Sequence, residues 1–321
     1  MSTRILVAAI VAVVTGLIAT AQAQSFPSKA MRIIVPFPPG GAGDTTSRIL
    51  VEHLRKGFGQ PMIVDNRPGA GAVIGYELGA RAPGDGHTML LVFPSFVINP
   101  AIRRVSFDPI KDFKAVGQTS FLPMAIAVHP SVPAKSLREL IALARAKPGE
   151  VVYGTSGSGT LHHVVGEMFR LAVNVSIVHA PYKGGGPALT ALAGGHIPMI
   201  VTNVSTIAAF AKSGNVRALV VTARERVEAL PDVPTLRESG YPELESTNWS
   251  GFVVPGATPP SAIARLNTEL ARALHTADVQ DKFKAKGMFP SPGTPEQFTA
   301  LLQSDTTRYA RIVREAGIKV D

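Results

Sequence analysis

Short apolar runs rich in β-branched residues alternate along this chain with glycine-rich breaks and with apolar residues at helical spacing. In the first unit, residues 31–37 (MRIIVPF) predict a buried strand and residues 38–43 a glycine-rich break. Apolar positions at residues 49–54 then predict one face of a helix that begins near Asp44. Because the Asp44 carboxylate can accept hydrogen bonds from the free N–H groups of a first helical turn, we expect it to cap this helix.

The order of strand, break and helix recurs, which is typical of α/β proteins. Beyond Pro259 and Pro260 the pattern is helical to the end, which predicts helices packed around a finished sheet. The remaining predicted strands lie at residues 62–64, 87–93, 151–155, 176–182, 216–222 and 251–254. Further helices are predicted at residues 72–80, at 137–146 with Ser136 as the cap, at 187–193, and from residue 161 onward.

The length of the chain suggests about two domains. Since there is no strict internal repeat and no low-complexity linker, we expect the domains to exchange strands, at residues 124–128 and 251–254. The prediction is a two-lobed α/β fold in which each lobe is a βα sheet sandwich. Lobe 1 is expected to comprise residues 24–124 plus 252–321, and lobe 2 residues 125–251.

Residues 1–23 have the pattern of a secretory signal peptide. Arg4 precedes an apolar run over residues 5–18, which is short for a permanent membrane helix of roughly 20 apolar residues. Small residues at 21–23 (AQA) offer a cleavage site, so we expect cleavage after Ala23 and a periplasmic mature chain. A retained anchor is the alternative, and the lack of Cys excludes a lipoprotein.

Charge and composition narrow the choice of partners. The 32 Lys and Arg residues exceed the 23 Asp and Glu residues, which gives a net charge of +9. The basic residues are scattered without interleaved aromatics, so no nucleic-acid partner is expected. This charge favours anionic ligands by steering, or it only sets solubility. The absence of Cys excludes thiol redox chemistry and fits a chain long enough to bury its own core without disulfides.

Three strand, glycine-loop and helix units, at residues 36–44, 154–160 and 182–187, could capture an anion. Glycine lets the backbone approach a ligand, and the free N–H groups of the next helix can hold a carboxylate or phosphate. Each loop taken alone also fits a tight turn. No loop has a P-loop or dinucleotide signature, so neither ATP nor NAD is expected and no cofactor is predicted.

The first two loops contain no Lys or Arg, since residues 36–47 and 151–161 lack both. An anion held there would be met by peptide N–H groups, bridging water and hydroxyl groups. Lys183 brings one full charge near the third loop, although a solvated surface lysine is the alternative interpretation. The candidate hydroxyl groups are those of Thr45, Ser156, Ser158 and Thr160.

Two short motifs offer alternatives to a binding site, a hydrolase nucleophile and a metal site. Residues 154–158 (GTSGS) resemble the nucleophile elbow of hydrolases, with Ser156 as nucleophile, but Ser158 stands where the motif has glycine. A secreted serine hydrolase is therefore the alternative function. His163 and Glu167 are four residues apart and could share a helix face, but no second pair accompanies them, so no metal site is predicted.

The ordered set of motifs resembles the solute receptors of tripartite tricarboxylate transporters, also called Bug receptors. The resemblance covers nearly the whole chain after residue 24. It is carried by residues 34–37 (IVPF) with 39–41 (PGG) and Asp44, 66–71 (NRPGAG), 83–87 (PGDGH), 99–100 (NP), 107–109 (FDP), 112–113 (DF), 156–160 (SGSGT), 181–185 (PYKGG), 230–235 (LPDVPT), 257–259 (ATP) and 293–298 (GTPEQF).

The resemblance implies a periplasmic binding protein of the Venus-flytrap kind that catalyses nothing. It implies a clamp that closes on a small organic carboxylate and delivers it to membrane subunits of a transporter; we expect a monomer. Departures from the family at Phe93, Phe96 and Thr202 indicate a more apolar pocket, or else phenylalanines that belong to the core. The predicted ligand-binding residues are Phe37, Pro39, Gly40, Gly41, Asp44, Thr45, Ser95, Ser156, Gly157, Ser158, Gly159, Thr160, His162, Tyr182 and Asn203.

Overall fold

The computed structural model describes residues 26–319 of the chain. The signal peptide expected at residues 1–23, with cleavage after Ala23, lies outside the described residues. Between residues 26 and 319 there is no helix with the length and apolar character needed to cross a membrane.

Strands and helices alternate as the pattern predicts. The strands are β1 (Met31–Val35), β2 (Met62–Asn66), β3 (Thr88–Val92), β4 (Phe113–Val128), β5 (Val151–Thr155), β6 (Ile177–Pro181), β7 (Met199–Asn203), β8 (Arg217–Val221), β9 (Thr247–Pro255) and β10 (Phe289–Pro290). The helices are α1 (Ala42–Phe58), α2 (Val73–Ala80), α3 (Ser95–Ile102), α4 (Leu137–Ala146), α5 (Leu161–Ala172), α6 (Gly185–Ala193), α7 (Val204–Lys212), α8 (Pro260–Leu274), α9 (Ala277–Ala285) and α10 (Pro295–Glu315).

Two sheets share the long strand β4. In the first, the order is β2-β1-β3-β9-β4, with β10 added to β4; in the second it is β4-β7-β5-β6, with β8 added to β4. β4 pairs with β9 as far as Pro123, opposite Thr247, and from Met124 onward it pairs with β7 instead. We call the half built on the first sheet the first lobe and the half built on the second sheet the second lobe.

The second crossing of the chain lies earlier than the predicted strand at residues 251–254. β9 begins at Thr247 and pairs with β4 over its whole length. Just before it, the Ser246 N–H donates to the Thr222 carbonyl, which belongs with the second sheet. The change from one sheet to the other therefore falls at residues 246–247, where β9 enters the first sheet.

Apolar side chains on both faces of the strands pack against the helices that cover each sheet. In β1, Ile33 and Val35 pack into one cluster with helices α1 and α8, whereas Ile34 joins the cluster on the opposite face. This follows from the alternation of side chains along a strand. Residues that follow β1, β3, β5 and β6 line a space between the two lobes.

Candidate functional site

Five helices begin at one cavity between the two lobes. Gly41 at the start of α1, Ser95 of α3, Thr160 before α5, Gly185 of α6 and Asn203 before α7 all lie on its wall. The space between atoms is about 460 Å³. We call this space the central cavity. Its wall consists of Phe37, Pro38, Gly41, Ala42, Gly43, Phe93, Pro94, Ser95, Ser156, Thr160, Leu161, His162, Gly185, Thr202, Asn203, Thr206 and Asn248.

The described residues that form this wall include no Lys, Arg, Asp or Glu. The first N–H groups of a helix have no partner inside the helix, and together they carry a positive charge of roughly half an elementary charge. An anionic group in the central cavity is therefore met by neutral donors and helix dipoles. This electrostatic arrangement is suited to a carboxylate or phosphate group.

Asp44 fixes the loop before α1. The helix begins at Ala42 with Gly41 as its N-cap and no side-chain cap, so the prediction that Asp44 caps the first turn is wrong. Its carboxylate instead accepts hydrogen bonds from the Gly40 N–H at 3.0 Å and from the Arg48 guanidinium at 2.9 Å. Burial raises the pKa of Asp44, but these hydrogen bonds outweigh it and hold the pKa below 3.8. Asp44 is thus ionised, with its oxygens already engaged.

A chain of buried hydrogen bonds crosses the second-lobe wall. Ser156 Oγ lies 2.5 Å from His162 Nδ1, and His162 Nε2 lies 3.1 Å from Asn203 Oδ1. The Asn248 amide of β9 donates to the same Asn203 oxygen at 3.0 Å. Burial lowers the pKa of His162 to about 4, so the ring is neutral near pH 7. Because the Asn203 oxygen can only accept, the single ring proton sits on Nε2, and the Ser156 hydroxyl donates to Nδ1.

The hydroxyl groups on this wall differ in what they can still bind. Thr160 Oγ1 donates to the Gly157 carbonyl at 2.7 Å and accepts the His163 N–H, so it is used within its own loop. Thr202 Oγ1 is fully buried and has no hydrogen-bond partner among the described residues. Since a buried hydroxyl without a partner is costly, Thr202 is a polar group of the wall that a ligand would satisfy.

Aromatic rings form the apolar side of the central cavity. Phe37 and Phe93 meet edge to face with ring centroids 5.3 Å apart, and both line it. Phe96 is fully buried instead, where it packs on Tyr76 and stacks on Phe107. Of the two phenylalanines that depart from the family pattern, Phe93 therefore faces the cavity and Phe96 belongs to the core.

A second cavity of about 600 Å³ lies beside the central one and shares Phe37 and Ser156 with it. We call it the side cavity. It is lined by Pro36, Phe37, Gly69, Ala70, Gly71, Ala72, Arg103, Ser156, Gly157, Ser158, Pro181, Tyr182 and Lys183.

The structure brings together most of the residues singled out from the sequence. Those on the wall of the central cavity are Phe37, Gly41, Ser95, Ser156, Thr160, His162 and Asn203. Those in the side cavity are Phe37, Ser156, Gly157, Ser158 and Tyr182. Pro39, Gly40, Asp44, Thr45 and Gly159 lie on neither wall. Phe93 and Thr202, which were singled out as departures from the family pattern, also lie on the central wall, and wall residues that the sequence did not indicate include Gly185, Thr206 and Asn248.

Ser156 and His162 are paired, but the pair lacks the features of a hydrolase. A nucleophile elbow is a sharp turn from strand to helix, whereas residues 156–160 separate β5 from α5. The third group of the chain is the neutral amide of Asn203, and burial holds the pKa of His162 at about 4. A histidine with such a low pKa is a weak base near pH 7.

His163 and Glu167 are engaged with neighbours rather than with each other. The His163 ring stacks on His179 at 4.0 Å, and Glu167 accepts the Tyr153 hydroxyl at 2.5 Å and the Arg170 guanidinium at 2.8 Å. Within residues 26–319 no group of three or more His, Cys, Asp or Glu side chains could hold a metal ion.

Comparison with known proteins gives the class of this fold. A solved structure described as a periplasmic transporter is 36% identical, superposes with a TM-score of 0.90, and matches 92% of this chain and 100% of its own. An R. palustris protein solved with adipate is 30% identical, with a TM-score of 0.89 over 92% of this chain and 99% of its own. The chain has the two-lobed fold of the periplasmic binding proteins.

The family follows from the sequence match. Residues 46–318 match the model of the tripartite tricarboxylate transporter family receptor. The protein BugT of Bordetella pertussis is 35% identical over 308 residues, which cover 95% of this chain and 94% of BugT. This chain belongs to the family of tripartite tricarboxylate transporter receptors.

Proposed function

We propose that this protein captures a small organic carboxylate in the central cavity and delivers it to the membrane subunits of a tripartite tricarboxylate-type transporter. The observation that carries the proposal is the meeting of five helix N-termini on a wall whose described residues bear no charged side chain. A carboxylate is stabilised by such N–H groups without a counter-charge. The relative solved with adipate supports the same class of ligand.

The proposed mechanism is capture between the lobes followed by rotation of one lobe against the other. We propose the division expected from the sequence, lobe 1 as residues 24–124 plus 252–321 and lobe 2 as residues 125–251, except that residues 247–251 join lobe 1 because β9 pairs wholly with the first sheet. Across the gap, the Arg103 guanidinium donates to the Ser158 carbonyl at 2.9 Å. Contacts that form only on closure favour the closed state when ligand is present.

We propose that the ligand carboxylate meets the N–H groups after Gly41 and those at the start of α5, with the Thr202 hydroxyl and the Asn203 amide N–H as side-chain donors. Ser156, whose hydroxyl donates to His162, orients that ring. Asp44 acts as a positioning residue, since it ties Gly40 to the first turn of α1. Of the other candidates, Gly40 adopts a φ of 81°, which favours glycine and turns the chain into α1. The Phe37 and Phe93 rings then contact the apolar part of the acid.

The protein is proposed to act as a monomer in the periplasm after removal of residues 1–23. Family membership supports the periplasmic location. We propose no cofactor and no catalytic step. A dissociation constant near micromolar, about 8 kcal/mol of binding free energy, suits an uptake receptor.

The test is a thermal-shift screen of organic acids on the mature protein, with a chromogenic ester as the catalytic arm. We expect one or more acids to raise the Tm, with no turnover of the ester. Thr202→Val should weaken binding of the best acid about tenfold, since it removes the free hydroxyl while keeping the shape. The matched control is Thr307→Val, on the exposed face of α10, which should leave binding unchanged. Ester turnover that Ser156→Ala abolishes would overturn the proposal.

A further inference from the structure

The side cavity differs from the central cavity in its charge. Among the described residues that line the two cavities, the charged ones are Arg103 and Lys183, and both lie in the side cavity. Arg103 comes from the end of α3 in the first lobe, whereas Lys183 lies in the loop before α6 in the second lobe. Two cations from opposite lobes therefore face the same space.

Arg103 is not fully used by the protein. Its Nη2 donates to the Ser158 carbonyl at 2.9 Å, but its buried Nε has no partner among the described residues. Burial lowers the pKa of this guanidinium, and no carboxylate among the described residues offsets that effect. A buried guanidinium N–H without an acceptor favours an anionic partner, because a charge-assisted hydrogen bond would satisfy it.

The backbone of this cavity is also unusual. Ala70 and Ala72 have φ angles of 48° and 83°, in the left-handed region that is unfavourable for a residue with a Cβ. Between them, a Cβ on Gly71 would lie 2.0 Å from the Ser158 carbonyl oxygen, so this turn is pressed against the other lobe. Successive N–H groups in such turns form concave surfaces that bind anions.

We propose that the side cavity binds a second anionic group, a carboxylate or a phosphate, held by Arg103 and Lys183. The inference rests on the proposed function, since the first carboxylate occupies the central cavity. The second group has two sources. It is the far end of an acid with two anionic groups, whose apolar middle passes Phe37 on the wall common to both cavities, or it is a free inorganic anion.

Isothermal titration calorimetry on the mature protein tests the proposal in two arms. The first arm compares linear dicarboxylates with monocarboxylates of the same carbon number. The second arm titrates inorganic phosphate into protein saturated with the best monocarboxylate. Each arm uses the wild type, Lys183→Gln and Arg103→Gln, with Lys212→Gln and Arg104→Gln as controls that remove the same charge from exposed sites.

If the second group belongs to the acid, dicarboxylates bind the wild type about tenfold tighter than their matched monocarboxylates. Lys183→Gln then weakens dicarboxylates about three- to tenfold and leaves monocarboxylates within about twofold, and added salt reduces the difference. Arg103→Lys should recover part of the affinity that Arg103→Gln loses. If the second group is inorganic, phosphate binds saturably to the wild type and Lys183→Gln weakens that binding by a similar factor.

The proposal is overturned if dicarboxylates bind no tighter than monocarboxylates and phosphate shows no saturable binding. It is also overturned if Lys212→Gln and Arg104→Gln lose as much affinity as the cavity variants, because the effect is then general steering. Either result leaves the proposed function intact as long as monocarboxylates bind. A wild type that binds no carboxylate overturns the proposed function together with this inference.

Discussion

The two lobes supply different chemistry to the central cavity. The first-lobe wall contains the Phe37 and Phe93 rings and glycine-rich backbone, and its nearby carboxylate, Asp44, is satisfied inside its own loop. The second-lobe wall carries the chain of side-chain hydrogen bonds through His162 and Asn203. The first lobe thus sets the shape of the site, and the second sets the orientation of polar groups in it.

The comparison also shows that both lobes solve the same electrostatic problem in the same way. Each presents helix N-termini rather than cationic side chains to the cavity. The side chains therefore remain free to determine shape and orientation. The following predictions separate the contributions of the two walls.

The largest expected effect comes from the first-lobe wall. Phe93 is 5% exposed and packs against Phe37, so Phe93→Ala should lower the free energy of unfolding by about 3–5 kcal/mol. The fluorescence of the single Trp249 in urea titrations of the ligand-free protein measures this. Phe210→Ala is the control, since Phe210 is 38% exposed, and it should cost less than about 1 kcal/mol. Equal losses in both variants would contradict a packed apolar wall.

The next effect belongs to the second-lobe wall and appears as pH dependence. Burial lowers the pKa of His162 from 6.5 to about 4, so between these values the unfolded chain holds the extra proton. The free energy of unfolding must therefore fall as the pH falls from 6.5 to 4, by on the order of 3 kcal/mol from this residue. His162→Gln should remove that part of the slope.

Urea titrations at pH 7, 6, 5 and 4 measure the slope in both proteins. His163 and His179 have lowered pKa values as well, so the wild type and His162→Gln must be compared with each other and some slope should persist in the variant. A variant slope equal to that of the wild type would mean that His162 titrates normally in the folded protein.

The smallest effect comes from Asp44. The folded-state pKa of this carboxyl lies below 3.8, so its stabilising contribution is present above pH 3.8 and is lost as the pH falls through the lower folded value. Asp44→Asn should therefore lower the free energy of unfolding by about 1–2 kcal/mol at pH 7 and flatten its decline below pH 4. The exposed Asp232→Asn is the control, and it should follow the wild-type curve. An Asn variant as stable as the wild type at pH 7 would exclude this role.

Much of the fold could be predicted from local pattern. The β-branched runs that became β1 to β3, β5, β6 and β8 were located to within a residue or two, because each is a short β-branched run with glycine or proline close to one or both ends. The helices after the three glycine loops followed for the same reason. Ser136 caps α4 as expected, by accepting the Glu139 N–H.

Other elements had no such local signal. α3 contains Pro100 in its interior, which argues against a helix in any sequence pattern. β7 and α7 follow each other with no glycine or proline between them, so no local signal divides residues 199–212 into a strand and a helix. Thr202 was therefore placed at the pocket only by its departure from the family pattern, and nothing in the sequence indicated that its hydroxyl is buried without a partner.

The site residues were predictable where they lie in the loops between a strand and its helix. Ser156 was identified in this way, and His162 at the start of the helix that follows its loop, whereas Asn203 was singled out from the family resemblance. The structure joins all three in one hydrogen-bonded chain. Asn248 was not identified, since it lies inside β9 and reaches Asn203 through tertiary pairing of strands distant in sequence. The role of Asp44 differed because the helix begins two residues before it, which places the carboxylate over Gly40.

The position of β9 has a consequence for biosynthesis. This strand fills the gap between β3 and β4 in the first sheet, yet it is translated after the whole second lobe. A growing polypeptide cannot complete the first sheet until residues 247–255 have left the ribosome. The first lobe therefore stays unfinished through most of the synthesis of the chain, although its first three strands are among the earliest parts to be made.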